Sequence, residues 1–304
     1  MRSQRRWSLL KNAYNKPYTA TADRTSCAPL FAPKRTPRIH GLDFLRGLCV
    51  ILMIFDHISF DFMWLPEFSY NFYEADNPFL VAMQSFCETW WDSTLRICLR
   101  LPVICLFFTI SGISSSFSHN NVLRAVKLAL ASATLSLFTV LGDVFFDLGI
   151  SIYFGVLHCF TVSVLLYAVL QLLLGNKAKY ACLGLGLLLF VWGLFIDFYD
   201  PPYLYGVDGH ALTLTDYLQL AAGTRCYGAD SFGILPNTGV FLLGCYGGAQ
   251  LYRQKTPYLP LFAAKPFAPV RFVGRKAVWF YLLHQPVVLA VVGGIGMALG
   301  LRFF

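Results

Sequence analysis

Residues 38–62, RIHGLDFLRGLCVILMIFDHISFDF, form an apolar run that also carries Asp43, Arg46, Asp56, His57 and Asp61. An ionisable side chain at the bilayer centre costs about 2.5–3.5 kcal/mol on insertion scales, so each needs a partner or a task. Asp43 and Arg46 are three residues apart and share a helical face, which suits an ion pair or a site for an anionic donor. His57 and Asp61, four apart, also share a face, while Asp56 projects elsewhere. A carboxylate on one imidazole nitrogen fixes the tautomer and makes the other nitrogen a better base. The same pair could equally do no more than join helices. His158 and His284 fall at similar depth in two other apolar segments, with Gln285 and Pro286 following His284. The three histidines could therefore meet in the outer half of a bundle. They have no local ligand spacing such as HExxH, so no metal is expected. Asn237, within LPNTG, adds a neutral hydrogen-bonding group at that depth and is the candidate acceptor-binding residue. His40, His119 and His210 fall in tail or loops.

Spans must hold these side chains in place. Of the 304 residues, 57% are hydrophobic and 13% charged, and the mean hydropathy is +0.57. That leaves too little polar surface for a soluble protein and indicates an all-α, polytopic integral membrane protein. With roughly 20 apolar residues per helix, the runs predict about seven spans, near 42–63, 97–117, 122–142, 152–173, 180–197, 233–251 and 277–299. What remains is a basic tail, 1–40, expected to be disordered and cytoplasmic, and one membrane domain, 41–304.

Charge sets the expected orientation. With the N-terminus cytoplasmic, 19 of the 24 Lys and Arg fall on the inner side, and 13 of the 16 Asp and Glu on the outer side. This is the positive-inside pattern, and it accounts for the net charge of +8 without nucleic acid. The tail lacks the apolar stretch of a secretory signal peptide. Segments 64–94 and 198–232 are expected to be external loops, with Trp64, Trp90 and Trp91 at the interface. Nine cysteines show no CxxC pair; Cys87 and Cys226 fall in outer loops and could pair. Gly112 beside Ser111, and Gly239, Gly244, Gly247 and Gly248, predict close helix packing.

Five segments in order, RIHGLDFLRGLCVILMIFDHISFDF, LFFTISGIS, IYFGVLHCFTVS, SFGILPNTGVFLLGCYGG and VGRKAVWFYLLHQPV, resemble the catalytic-domain family of heparan-α-glucosaminide N-acetyltransferase and its bacterial relatives. The resemblance spans about residues 38–292. It implies acetyl-CoA as co-substrate, bound from the cytoplasmic side, and an acetyl group passed to an amine or hydroxyl of an extracytoplasmic acceptor, a sugar or glycan. Position by position, His57 and Asp61 match the family's histidine-and-acid segment. His158 matches its FGxLH segment, and Arg275 and His284 its GR…HQP segment. The expected catalytic set is thus His57, Asp61, His158 and His284. His57 is the base steadied by Asp61, and His158, Asn237 or His284 donates to the oxyanion. An acyl-histidine route stays open. Donor phosphates are expected at Arg124, Lys127, Arg271, Arg275 and Lys276, near Asp43 and Arg46. Asn237 stands where relatives often carry an aromatic residue, a departure that touches acceptor recognition. The tail and the absence of a cleavable signal fit a bacterial plasma membrane, with membrane lipids as partners and a homo-oligomer left open. The rival reading is a transporter or flippase for a glycan, lipid or small solute, against which the lack of an internal repeat counts.

Overall fold

A backbone without water around it must satisfy its own amides, and helices do so within one segment. The computed structural model describes residues 39–146, 149–196, 201–204, 212–252 and 260–303. The tail to residue 38 and His210 lie outside them. The described residues are helical, with isolated bridges and no strands. In chain order the helices are α1 (His40–Met63), α2 (Pro78–Trp91), α3 (Thr94–Ser116), α4 (Asn121–Phe146), α5 (Val156–Leu174), α6 (Ala178–Gly193), α7 (Leu214–Ala222), α8 (Asn237–Leu251), α9 (Ala268–Arg275) and α10 (Ala277–Ala298). A single turn, Leu65–Phe68, prolongs α1.

The long helices fall where the apolar runs place them. Four stretches are long and apolar enough to cross a membrane: Thr94–Ser116, Asn121–Phe145, Val156–Gly193 and Ala277–Ala298. The third is a hairpin of two helices, because Gly175 ends α5 at φ 52°, a conformation that favours glycine. Helix α1 falls short on apolarity because of its charged residues, and α8 on length, with 15 residues. Outward faces are apolar, with Leu172 and Phe195 82% and 84% exposed, as suits lipid.

Side-chain pairs fix the helix directions. Arg46 meets Ser114 and Asp56 meets Arg96, so α3 runs antiparallel to α1. Asn121 meets Gln171 and Ser136 meets His158, so α4 and α5 are antiparallel. Helix α8 runs parallel to α3, with Gly112 at Phe241 and Ile113 at Gly248, and antiparallel to α6, with Gly193 at Pro236 and Gly186 at Leu243. On α10, His284 and Gln285 meet His57 and Asp61 in the same order, so α10 runs with α1.

Two apolar cores result. Phe108, Phe160, Val164, Cys182 and Phe241 centre one among α3, α5, α6 and α8. Phe62, Leu80, Cys87, Val288 and Val292 centre the other among α1, α2 and α10. The glycine expectation holds at Gly112 and Gly244: a Cβ on either would meet backbone of the facing helix, at Phe241 and Thr109. Gly247 instead faces open space.

The segments expected as loops are partly helical. Residues 78–91 form α2 because the Asn77 side chain accepts from the Phe79 and Leu80 amides at 3.1 and 3.4 Å, with Pro78 in the first turn. Thr213 and Asp216 cap α7 reciprocally. Helix α9 lies against the first turns of α1, where Gly274 abuts the Asp43 backbone. Cys87 is a buried, free thiol on α2, so it is not joined to Cys226. Its burial comes from α2 being a packed helix and not an open loop.

Candidate active site

The site is built mainly by α1 and α10. His57 sits on the face of α1 turned toward α10, and its ring meets the His284 ring edge to face, 4.7 Å between centroids at 87°. His57 Nδ1 lies 2.8 Å from the Met53 carbonyl, and His284 Nδ1 lies 2.6 Å from the Tyr281 carbonyl. A carbonyl only accepts, so Nδ1 carries the proton on both rings and each Nε2 keeps its lone pair. His284 Nε2 is buried with no hydrogen-bond partner, as is Gln285 Oε1 beside it. Both unpaired atoms are acceptors, which calls for a group with N–H or O–H to donate.

Asp61 is buried at 5% exposure, and Gln285 Nε2 donates to both its oxygens at 2.9 and 3.1 Å. This corrects one expectation: the His57 ring is oriented by its own helix, through Met53, and Asp61 is held by α10. An i→i−4 carbonyl competes for a histidine proton on any helix, and here it wins. Asp56 does project to another face. Its carboxylate receives Arg96 Nε at 2.7 Å and Arg96 Nη2 at 3.0 Å, and the Trp90 indole at 3.4 Å. The Arg96 guanidinium lies 3.3 Å from the Trp91 ring centroid. Trp90 and Trp91 therefore serve a clamp between α1, α2 and α3.

His158 does not join the other two histidines in ring contact. At the third position of α5, its Nδ1 accepts from the Gly155 amide at 3.2 Å, and its Nε2 faces Ser136 Oγ at 3.3 Å. Ser136 donates to the Ile152 carbonyl at 2.6 Å, so Nε2 holds the His158 proton. Both ring nitrogens are thus committed, Nδ1 to the start of α5 and Nε2 to Ser136 of α4. Asn237 spends its amide on the Gly233 carbonyl at 3.0 Å, closing the turn before α8. His158 offers no uncommitted N–H for an oxyanion, and the Nδ1 proton of His284 is likewise committed, whereas Asn237 keeps the second of its two amide protons.

At the other end of α1, Arg46 bonds Asp43 at 3.5 Å and donates to Ser114 Oγ. Arg124 donates to Ser115 Oγ at 2.9 Å and lies within electrostatic reach of Arg46. Two guanidinium groups thus share one adjacent serine pair, with Asp43 offsetting one charge, a donor set that fits phosphate. The other expected phosphate contacts are placed differently. Arg271 Nη1 donates to the Phe262 and Ala264 carbonyls at 2.5 and 2.6 Å. Lys127, Arg275 and Lys276 are exposed, with Arg275 6.0 Å from the Phe272 ring centroid. Among the described residues, no cluster of three or more His, Cys, Asp or Glu is placed to hold a metal ion.

Residues 38–286 match the family model described as heparan-alpha-glucosaminide N-acetyltransferase, catalytic. The chain belongs to that family. No curated protein and no solved structure matches it. Membership of the acetyltransferase family, with four stretches apolar and long enough to span a bilayer, supports a membrane acetyltransferase over the transporter reading. The matched region contains every residue of the α1–α10 site, together with three residues around it that sequence reasoning did not single out: Arg96 on α3, Tyr281 on α10, and Asp230, whose carboxylate accepts from the Tyr281 hydroxyl at 3.0 Å. Arg96 had a signal, being a cation near the outer end of α3 with Asp56 in need of a partner. Asp230 had none, since it lies in irregular chain without periodicity.

Proposed function

We propose that this family member is a membrane-embedded acetyltransferase that moves an acetyl group from cytoplasmic acetyl-CoA to an amine or hydroxyl of an extracytoplasmic acceptor, a sugar or glycan. The observation that carries the reading is the facing imidazole pair, with both Nδ1 protons tied to backbone and both Nε2 lone pairs left as bases. Seven spans and an inner N-terminus follow from the same reading. The alternating helix directions support the number of spans, and the basic inner loops support the orientation.

Arg46 and Arg124 lie at the inner end and would hold donor phosphates. His57 is eleven residues further along α1, roughly 16 Å at 1.5 Å per residue. A flexible arm anchored at the arginines would bring its thioester to the imidazoles across that distance. There His57 Nε2 takes the proton as the acceptor nitrogen or oxygen attacks the carbonyl carbon. The C–S bond breaks, and the thiolate leaves as the free thiol with the proton that His57 Nε2 took, which returns the imidazole to its neutral form. His284 Nε2 and Gln285 Oε1 accept hydrogen bonds from the acceptor and hold it in line. Asp61 fixes the Gln285 side chain so that its oxygen faces the site.

The test is turnover of radiolabelled acetyl-CoA by the purified protein in detergent, with a glucosamine-bearing acceptor. His57→Ala is expected to reduce CoA release by about 10²–10⁴-fold. Unchanged release would remove His57 from the reaction, and absence of any acetyl-CoA binding would refute the enzyme reading.

A further inference from the structure

The Asp230 carboxylate joins three parts of the chain. It accepts from the Val156 amide at the start of α5 at 3.1 Å and from the Tyr281 hydroxyl of α10 at 3.0 Å. Gly155 lies so close that a Cβ there would run into Asp230 Oδ2, so the sequence leaves room for this carboxylate. Tyr281 in turn offers its carbonyl to His284 Nδ1 at 2.6 Å, and its ring lies 5.7 Å from that of His284. The residue whose hydroxyl is anchored to Asp230 is therefore the one that sets the tautomer and tilt of the His284 ring. Helix α10 has reason to need the anchor. Pro286 has no amide proton, so the turn holding His284 loses a backbone hydrogen bond. The main partner of α10 is α1, and the Tyr281–Asp230 bond ties it to the other core.

We infer that Asp230 is a positioning residue which acts through Tyr281 to hold His284 in its reactive orientation. The inference rests on the imidazole-pair reading above. It assigns Asp230 no contact with either substrate. Its effect should appear in the rate of the chemical step, because a small misplacement of a catalytic group costs rate more than binding.

Tyr281→Phe removes only the hydroxyl and keeps the ring packing. Steady-state turnover of acetyl-CoA is expected to show kcat reduced about ten- to a hundredfold, with KM for acetyl-CoA within twofold. Asp230→Asn should reduce kcat in the same direction, and the double variant should be no slower than the slower single one. In a His284→Asn background, Tyr281→Phe should change kcat by less than twofold, an outcome that a purely structural loss would not produce. If His284→Asn is slow but Tyr281→Phe turns over normally, the positioning inference fails and the site stands. The inference also fails if Tyr281→Phe still costs tenfold in the His284→Asn background. If His284→Asn itself is as active as wild type, the reading of the site fails first.

Discussion

The Asp56–Arg96 pair allows a quantitative test of how the outer end of α1 is held. The Arg96 side chain is 8% exposed and that of Asp56 is 26% exposed. Arg96→Met would leave the Asp56 carboxylate with one long hydrogen bond, from the Trp90 indole at 3.4 Å. Stranding one partner of a buried pair costs 3–5 kcal/mol; water at the quarter-exposed aspartate relieves part of that, so about 3 kcal/mol is expected. Asp56→Asn is milder. The guanidinium keeps the Trp91 carbonyl at 3.2 Å and the Trp91 ring, so the loss is about 1.5–2 kcal/mol, the size of a hydrogen bond to a charged group. The double variant removes both charges and strands neither, and should cost about 3 kcal/mol instead of the sum. The coupling is then about 1.5–2 kcal/mol. Unfolding in dodecylmaltoside micelles at increasing SDS mole fraction, followed by far-ultraviolet circular dichroism, gives all four corners of the cycle. If the two losses add within about 0.5 kcal/mol, the residues are independent and the clamp is not what holds α1.

Gln285→Leu removes both hydrogen bonds donated to Asp61; an unsatisfied buried carboxylate should cost about 2 kcal/mol in the same unfolding assay, with a larger loss of turnover. Gly274→Ala places a methyl group against the Asp43 backbone at the α1–α9 contact, and overpacking there should cost about 1–3 kcal/mol. Gly293→Ala, on open space in α10, should be neutral or gain up to about 1 kcal/mol; equal behaviour of the two variants would contradict the described packing. The Asp216 carboxyl is held below the ordinary aspartate range because the Thr213 hydroxyl and amide both donate to it. A depressed folded value means the cap is complete above the ordinary aspartate range and is lost as pH falls through the lower folded value. The Thr213 amide chemical shift should titrate in that low window, and a midpoint at or above the ordinary range would argue against the capping box.

How legible this molecule is in sequence depends on what each residue's partner is. The long helices were readable because lipid imposes one requirement, a continuous apolar run, on every residue of a span. Helices α2, α7 and α9 escaped that reading: 14, 9 and 8 residues long, they are defined by caps such as Asn77–Pro78 and Thr213–Asp216 and not by apolar length. The meeting of His57 with His284 was within reach because depth along a span can be counted. The depth argument misplaced His158, whose ring goes to the Gly155 amide and the Ser136 hydroxyl, and the four-residue spacing paired Asp61 with the His57 ring where the structure pairs it with Gln285.

Those two misses share a cause. Spacing shows which groups can meet, but a backbone carbonyl four residues back, or an amide three residues back, is always present as a competitor. The Met53 carbonyl therefore accepts from His57 Nδ1, and the Gly155 amide donates to the His158 ring. The same competition gives the polar residues of α1 their separate tasks. With the imidazole satisfied locally, Asp61 is free to accept from Gln285 on α10, and Asp56 to accept from Arg96 on α3. Arg46 reaches Ser114 at the other end of α3. Helix α1 is thus fastened to both cores by its charged groups, and His57 occupies the interval between the fasteners. The insertion cost of those charges is offset by bonds that only the assembled bundle can make.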